Sequence, residues 1–138
     1  MNRHDLQELA RLRLDEARAL LIAGHPSGAF YLAGYAVECA LKACISRKTR
    51  EHDFPPDPET VRQIYSHRLP ALLLRAGLES QLREDAPGGS PLDKNWARVL
   101  GWNEDSRYRL IDTIRARSLY NAIADPQNGV LAWLQRNW

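Results

Sequence analysis

The stretch GYAVECALKA, residues 34–43, decides the fold. Small and apolar residues fill most of it, yet an acid and a base, Glu38 and Lys42, stand four residues apart among them. Extended over residues 29–47 and placed on a helical wheel, Ala29, Ala33, Ala36, Ala40 and Ala43 fall on one line. Such a seam of small side chains lets a second helix backbone approach closely. Phe30, Gly34, Val37, Leu41, Cys44 and Ile45 widen the apolar arc on one side, and Leu32 and Cys39 on the other. An arc this wide predicts a helix near the centre of a bundle. The remaining arc carries Tyr31, Tyr35, Glu38, Lys42 and Ser46, so every polar group at the helix centre points one way.

Glu38 precedes Lys42, the favourable order for a helical ion pair. Three readings stay open: an exposed pair of small energetic consequence, a buried pair that specifies the fold, or part of a polar cleft or subunit interface. In the last case the two tyrosines supply hydroxyls and stacking faces.

Helical periodicity continues in both directions. Upstream, Leu6, Leu9, Leu14, Ala17, Leu20 and Leu21 make one apolar face, ending near Gly24. Gly-His-Pro-Ser-Gly, residues 24–28, permits a tight reversal, so the first two long helices form an antiparallel hairpin. Downstream, residues 48–66 form a long connection containing Phe-Pro-Pro-Asp-Pro, with a short helix expected around 59–65. Ser66 is expected to cap a third helix through Leu69, Leu72, Leu73 and Ala76, ended by Gly77. Residues 86–91 are the clearest loop. Ser90-Pro91 then starts a fourth helix through Trp96, Val99 and Leu100, stopping at Gly101. A fifth is expected within 104–124, carrying Ile111, Ile114, Leu119, Ala122 and Ile123 on its apolar face. Asp125-Pro126 is expected to launch a last one through Val130, Leu131, Leu134 and Trp138. No stretch alternates long enough for a strand. The fold class is all-α, an up-and-down antiparallel helical bundle in one domain over 1–138.

A chain of 138 residues with 44% apolar and 26% charged residues can bury about two-thirds of its unfolded surface. The net charge is +2, with a mildly basic first third, an acidic middle and a mildly basic end. That is far from the basic face of a dedicated duplex-DNA binder, though it allows contact with a few phosphates. No uninterrupted apolar run approaches the roughly 18 residues that span a bilayer, and the N-terminus lacks the features of a signal peptide. Cys39 and Cys44 lie about 140° apart on one helix and are expected to be buried and reduced. A cytoplasmic location without membrane attachment follows as the expectation.

Other candidates are few. His67 serves either as a surface residue in a helix's first turn or as a cleft residue facing Glu38 or Lys42. Arg107, Tyr108 and Arg109, just after Trp102, join cations to aromatics, the ingredients of base stacking and phosphate contact. The alternative packs Trp102 and Tyr108 in the core, with the arginines solvated or paired with Glu104, Asp105 or Asp112. Arg115 and Arg117 read as a solvated face, and Trp96, Trp133 and Trp138 as packing or dimer-surface residues. His4, His25 and His52 are isolated, so neither a metal site nor a cofactor is expected. Pro-Gly-Gly-Ser-Pro lacks the lysine and preceding strand of a phosphate loop.

The segment Gly-Tyr-Ala-Val-Glu-Cys-Ala-Leu-Lys-Ala, followed by Ser-His-Arg-Leu, Asn-Trp and Trp-Asn-Glu-Asp-Ser-Arg-Tyr, resembles the HEPN domain superfamily of small prokaryotic helical proteins over roughly residues 5–135. The resemblance implies a dimeric bundle working with nucleotides or RNA. It often implies a minimal nucleotidyltransferase as partner in a toxin–antitoxin or defence pair. Active members are metal-independent RNases with an R-x(4–6)-H motif in a late helix. No histidine follows Arg107 or Arg109, so that motif is absent here. One literal match, Arg62 to His67, lies at the entrance to the third helix. The first expectation is therefore a non-catalytic nucleotide- or RNA-binding homodimer using Tyr35, Glu38, Lys42, His67, Arg107, Tyr108 and Arg109. The alternatives are an RNase using Arg62 and His67, and a pure dimerisation or protein-interaction module.

Overall fold

The computed structural model describes residues 1–52 and 58–138, without the side chains of residues 50–52 and 60. The Phe-Pro-Pro-Asp-Pro run (but for Pro58) and the side chain of His52 lie outside the described residues. The protein is an all-α helical bundle, and no strand occurs among the described residues. In chain order it has α1 (Arg3–Ile22), α2 (Pro26–His52), α3 (Pro58–Ile64), α4 (Leu69–Arg75), α5 (Glu79–Asp85), α6 (Pro91–Val99), a 3₁₀ turn (Glu104–Tyr108), α7 (Thr113–Ala124) and α8 (Val130–Gln135).

The hairpin that opens the fold is set at both of its ends. Asn2 and Asp5 form a reciprocal capping box at the start of α1. At its end Gly24 takes φ +85°, the left-handed conformation natural to glycine. His25 N–H then donates to Leu20 and Gly24 N–H to Leu21, closing a Schellman motif that turns the chain into α2.

α2 is the central element, packed against α1, α4, α7, α8 and the 3₁₀ turn. All five alanines of its seam are fully buried, as are Ala10 and Ala17 of α1. Leu41, Ile45, Leu69, Leu72, Ile123, Trp133 and Leu134 fill the larger volumes of the same core. Residues 26–49 of α2 are apolar and long enough to cross a bilayer, but 72% of that window is buried inside the bundle, which accounts for its composition.

Several boundaries differ from the sequence expectation. α2 runs on to His52 rather than stopping near 47, so the connection after it is shorter. Ser66 does not cap α4. The cap position is Arg68, and the Ser66 hydroxyl accepts instead from Arg68 N–H in a local turn. The expected single helix over 104–124 is two elements. Asn103 and Ser106 close a capping box around the 3₁₀ turn, and Asp112 caps α7 by accepting from Arg115 N–H at 2.7 Å. Between them, Ile111 exchanges two hydrogen bonds with the Ser27 hydroxyl, pinning an extended segment across the start of α2. Ile114 consequently turns outward, 84% exposed, and is not part of the apolar face. Asp125-Pro126 does not launch a helix either. The Asp125 carboxylate accepts from Gln127 and Asn128 N–H to make a turn, and α8 starts at Val130 and ends at Gln135. α5 was not expected from periodicity. Its Asp85 accepts the indole N–H of the fully buried Trp133 at 2.9 Å.

Candidate functional site: a buried carboxylate under the polar stripe

The polar stripe of α2 is not a solvated face. Glu38 is 2% exposed, and the reading of an exposed helical ion pair is overturned. His67, just before α4, and Glu104 of the 3₁₀ turn reach over this side of α2 and cover it. One carboxylate oxygen, Glu38 Oε1, accepts from Lys42 Nζ at 2.8 Å and lies 2.8 Å from His67 Nδ1. The lysine side chain is itself mostly buried, at 16% exposure. His67 is half-exposed, and its Nε2 points to Glu104 Oε2 at 3.6 Å. The histidine thus bridges a buried acid on α2 and a half-exposed one on the 3₁₀ turn, so it belongs to the cleft and not to a simple surface cap. Such pairs need every partner, because a buried charge left alone is costly.

The stripe continues toward the N-terminal end of α2 as an aromatic ladder. Tyr31 stacks on Tyr35 with ring centroids 6.2 Å apart, and on Trp102 at 6.1 Å. Burial first, then the neighbouring Cys39 and Glu38, pushes the Tyr35 hydroxyl above its ordinary pKa, so it stays a neutral donor at neutral pH. Trp102 lies flat on Gly34, where a Cβ would stand 2.3 Å from its ring. Its indole N–H is the one buried side-chain polar atom without a partner among the described residues. Trp102 is therefore core, as one alternative expected, but Tyr108 is not: it is 78% exposed.

Arg107 sits 4.9 Å over the Tyr108 ring, an exposed cation–π pair. The hydroxyls of Tyr108 and then Tyr31 raise its pKa further, which places it at the edge of the aromatic ladder. Arg109 follows at the end of the turn, exposed. Arg62 is elsewhere: it lies on α3, 76% exposed, and pairs with Glu59 at 3.1 Å. The sequence match Arg62 to His67 is not a pair in space, since each turns to different acids. Among the described residues no three His, Cys, Asp or Glu side chains converge as metal ligands would.

Toward the other end of α2 the stripe opens into a cleft of about 500 Å³ lined by Met1, Leu6, Lys42, Ser46, Thr49, Ile64 and Tyr65. Sequence reasoning missed Tyr65, and offered Glu104 as a partner for the arginines and not for His67. Tyr65 falls in a long connection without periodicity, and Glu104 meets His67 only through the tertiary fold. Comparison with known proteins adds no relative: no family model, no curated protein and no solved structure matches this chain.

Proposed function

We propose that the protein is a nucleotide- or RNA-binding helical domain of HEPN type. In this reading it is non-catalytic and dimeric, and it serves as one component of a toxin–antitoxin or defence pair with a nucleotidyltransferase partner. The observation that carries the binding reading is the exposed Arg107–Tyr108 pair at one end of a stripe whose centre holds Lys42 on a buried carboxylate. Arginine over an exposed aromatic offers a phosphate contact and a stacking face together. Glu38 acts as an anchor: it fixes the Lys42 ammonium, so that its remaining N–H groups meet a ligand already oriented, while His67 is held between Glu38 and Glu104. Arg109 adds a second cation beside the platform, and Tyr35 a hydroxyl donor.

The test is fluorescence polarisation with a labelled pentaribonucleotide in chelator. Arg107 and Tyr108 are exposed, so alanine at both leaves the fold intact. Loss of about 1–3 kcal/mol of binding is expected for the lost stack alone. Affinity unchanged in that double variant would refute the site.

The protein-interaction reading has one observation of its own. Tyr108, Leu110 and Ile114 expose 78%, 99% and 84% of their surface, beside a cleft of about 350 Å³ floored by Phe30 and Leu119. Light scattering beside the polarisation assay separates it: Leu110→Asp/Ile114→Asp lowers the oligomeric mass if this face joins subunits, and a pure interaction module binds no pentaribonucleotide.

A further inference from the structure

We infer that the cleft beside Lys42 is a pocket for one nucleoside monophosphate unit, either a free nucleotide or the end of a single strand. The inference rests on the nucleotide- or RNA-binding reading above and names the unit that this part of the stripe takes. Its volume, about 500 Å³, lies within the range of small-molecule sites, and its walls combine apolar side chains with a few polar groups, as such sites do.

Charge draws the phosphate here. Lys42 is the charged side chain among the described lining residues. Its ammonium is held from behind by Glu38 at 2.8 Å, which leaves two N–H groups for a ligand. The volume holds one such unit, and a lysine already half-balanced by a carboxylate offers its phosphate a charged contact. Ser46, one helical turn further on, supplies a hydroxyl on the same face. The Thr49 hydroxyl donates to Ile45 O at 2.9 Å, so toward the cleft its oxygen can only accept, the complement of a ribose hydroxyl. Tyr65 supplies the stacking face. It is 76% exposed at the wall of the cleft, with Leu6 and Ile64 nearby to cover the other side of a planar base. Stacking on an aromatic is sequence-tolerant, and none of the described lining side chains is an amide that would read a base edge.

The platform at Arg107 and Tyr108 lies beside Tyr31, and Lys42 is eleven residues along the same helix, about 16 Å.

The experiment is calorimetric titration of the full chain with the four ribonucleoside monophosphates, with adenosine, and with a pentaribonucleotide carrying or lacking a terminal phosphate. Tyr65→Ala and Tyr65→Phe serve as variants because an exposed side chain can change without unfolding the protein. Expected are monophosphate binding at least about tenfold tighter than adenosine, a roughly 5- to 100-fold loss in Tyr65→Ala, and near-full retention in Tyr65→Phe. A pentanucleotide whose phosphate-dependent affinity also falls in Tyr65→Ala identifies a strand end as the ligand; one that ignores the variant, beside monophosphates that do not, identifies the free nucleotide. Adenosine binding as tightly as AMP, or monophosphates indifferent to Tyr65→Ala, overturns the pocket. Pentanucleotide binding that depends on Arg107 but not Tyr65, without monophosphate binding, overturns the pocket and leaves the wider reading standing. No binding of any of these overturns both.

Discussion

Gly34→Ala sets two effects of opposite sign against each other. In an isolated helix the change stabilises by about 1 kcal/mol, because glycine loses more backbone freedom than alanine on becoming helical. Here the added Cβ would stand 2.3 Å from three atoms of the Trp102 ring, closer than real Cβ contacts come. The indole is 4% exposed and stacked on Tyr31, so it cannot rotate away without opening the core. Overpacking of this kind costs about 1–3 kcal/mol. A ring pressed by its flat face belongs at the upper end, giving a net loss of about 1–2 kcal/mol. In a domain of this size that lowers Tm by about 3–8 °C. Urea unfolding followed by tryptophan fluorescence measures it. The decisive control is the Trp102→Ala background, where the clash is gone and Gly34→Ala should stabilise by about 1 kcal/mol. A Gly34→Ala variant as stable as the parent, or an equal effect in both backgrounds, would refute the argument that Trp102 dictates this glycine.

Glu38→Gln keeps the shape and an acceptor oxygen but removes the charge opposite the buried Lys42 ammonium, and should cost roughly 3 kcal/mol in urea unfolding; a loss near that of an exposed helical pair, a few tenths of a kcal/mol, would show that the carboxylate is not the anchor described. Asp85 and Asp125 have pKa values lowered below 3.8, the first mainly by the Trp133 indole N–H and the second by the Asn128 and Gln127 N–H groups. Each contributes stability that is present above the unfolded carboxylate range and lost as pH falls through the lowered folded value. Asp85→Asn/Asp125→Asn should therefore flatten the fall in Tm between about pH 5 and 2, and parallel melting curves would contradict this. Burial raises the thiols of Cys39 and Cys44 to about 11 and about 12, so a disulfide-exchange reagent at neutral pH should label neither until the protein is unfolded in urea. Rapid labelling of the native protein would exclude such burial.

The bundle was legible because α2 carries its pattern openly. Five alanines in register and an apolar arc around them are enough, by helical spacing alone, to place it at the centre. Ser90-Pro91 likewise reads correctly, since cap and first-turn proline are local signals: the Ser90 hydroxyl accepts from Asp93 N–H. Asp125-Pro126 carries the same signal and misleads, because an aspartate can satisfy N–H groups two and three residues on equally well in a turn. The break between the 3₁₀ turn and α7 was hidden for a different reason. It depends on Ser27, eighty-four residues away, bonding both backbone groups of Ile111. At the site, the stripe on α2 and the grouping of Glu38 with Lys42 follow from helical spacing. The depth of Glu38 and the arrival of Glu104 do not, since both depend on how other elements pack over it.

The alanine seam carries a consequence for how stability is distributed. Alanine has no side-chain rotamers to lose, so packing a helix against the seam costs almost nothing in side-chain entropy, but it also removes little apolar surface from water. The seam is a low-cost, low-yield contact that fixes spacing. Leu41 and Ile45 of α2 yield more, and the large buried residues that close on the same core, Trp133, Leu134, Ile123, Leu69 and Leu72, come from α8, α7 and α4. Much of the yield thus arrives late along the chain while geometry is set early. A terminal helix as short as α8 becomes a condition for the whole fold, and with it for the stripe that α2 presents.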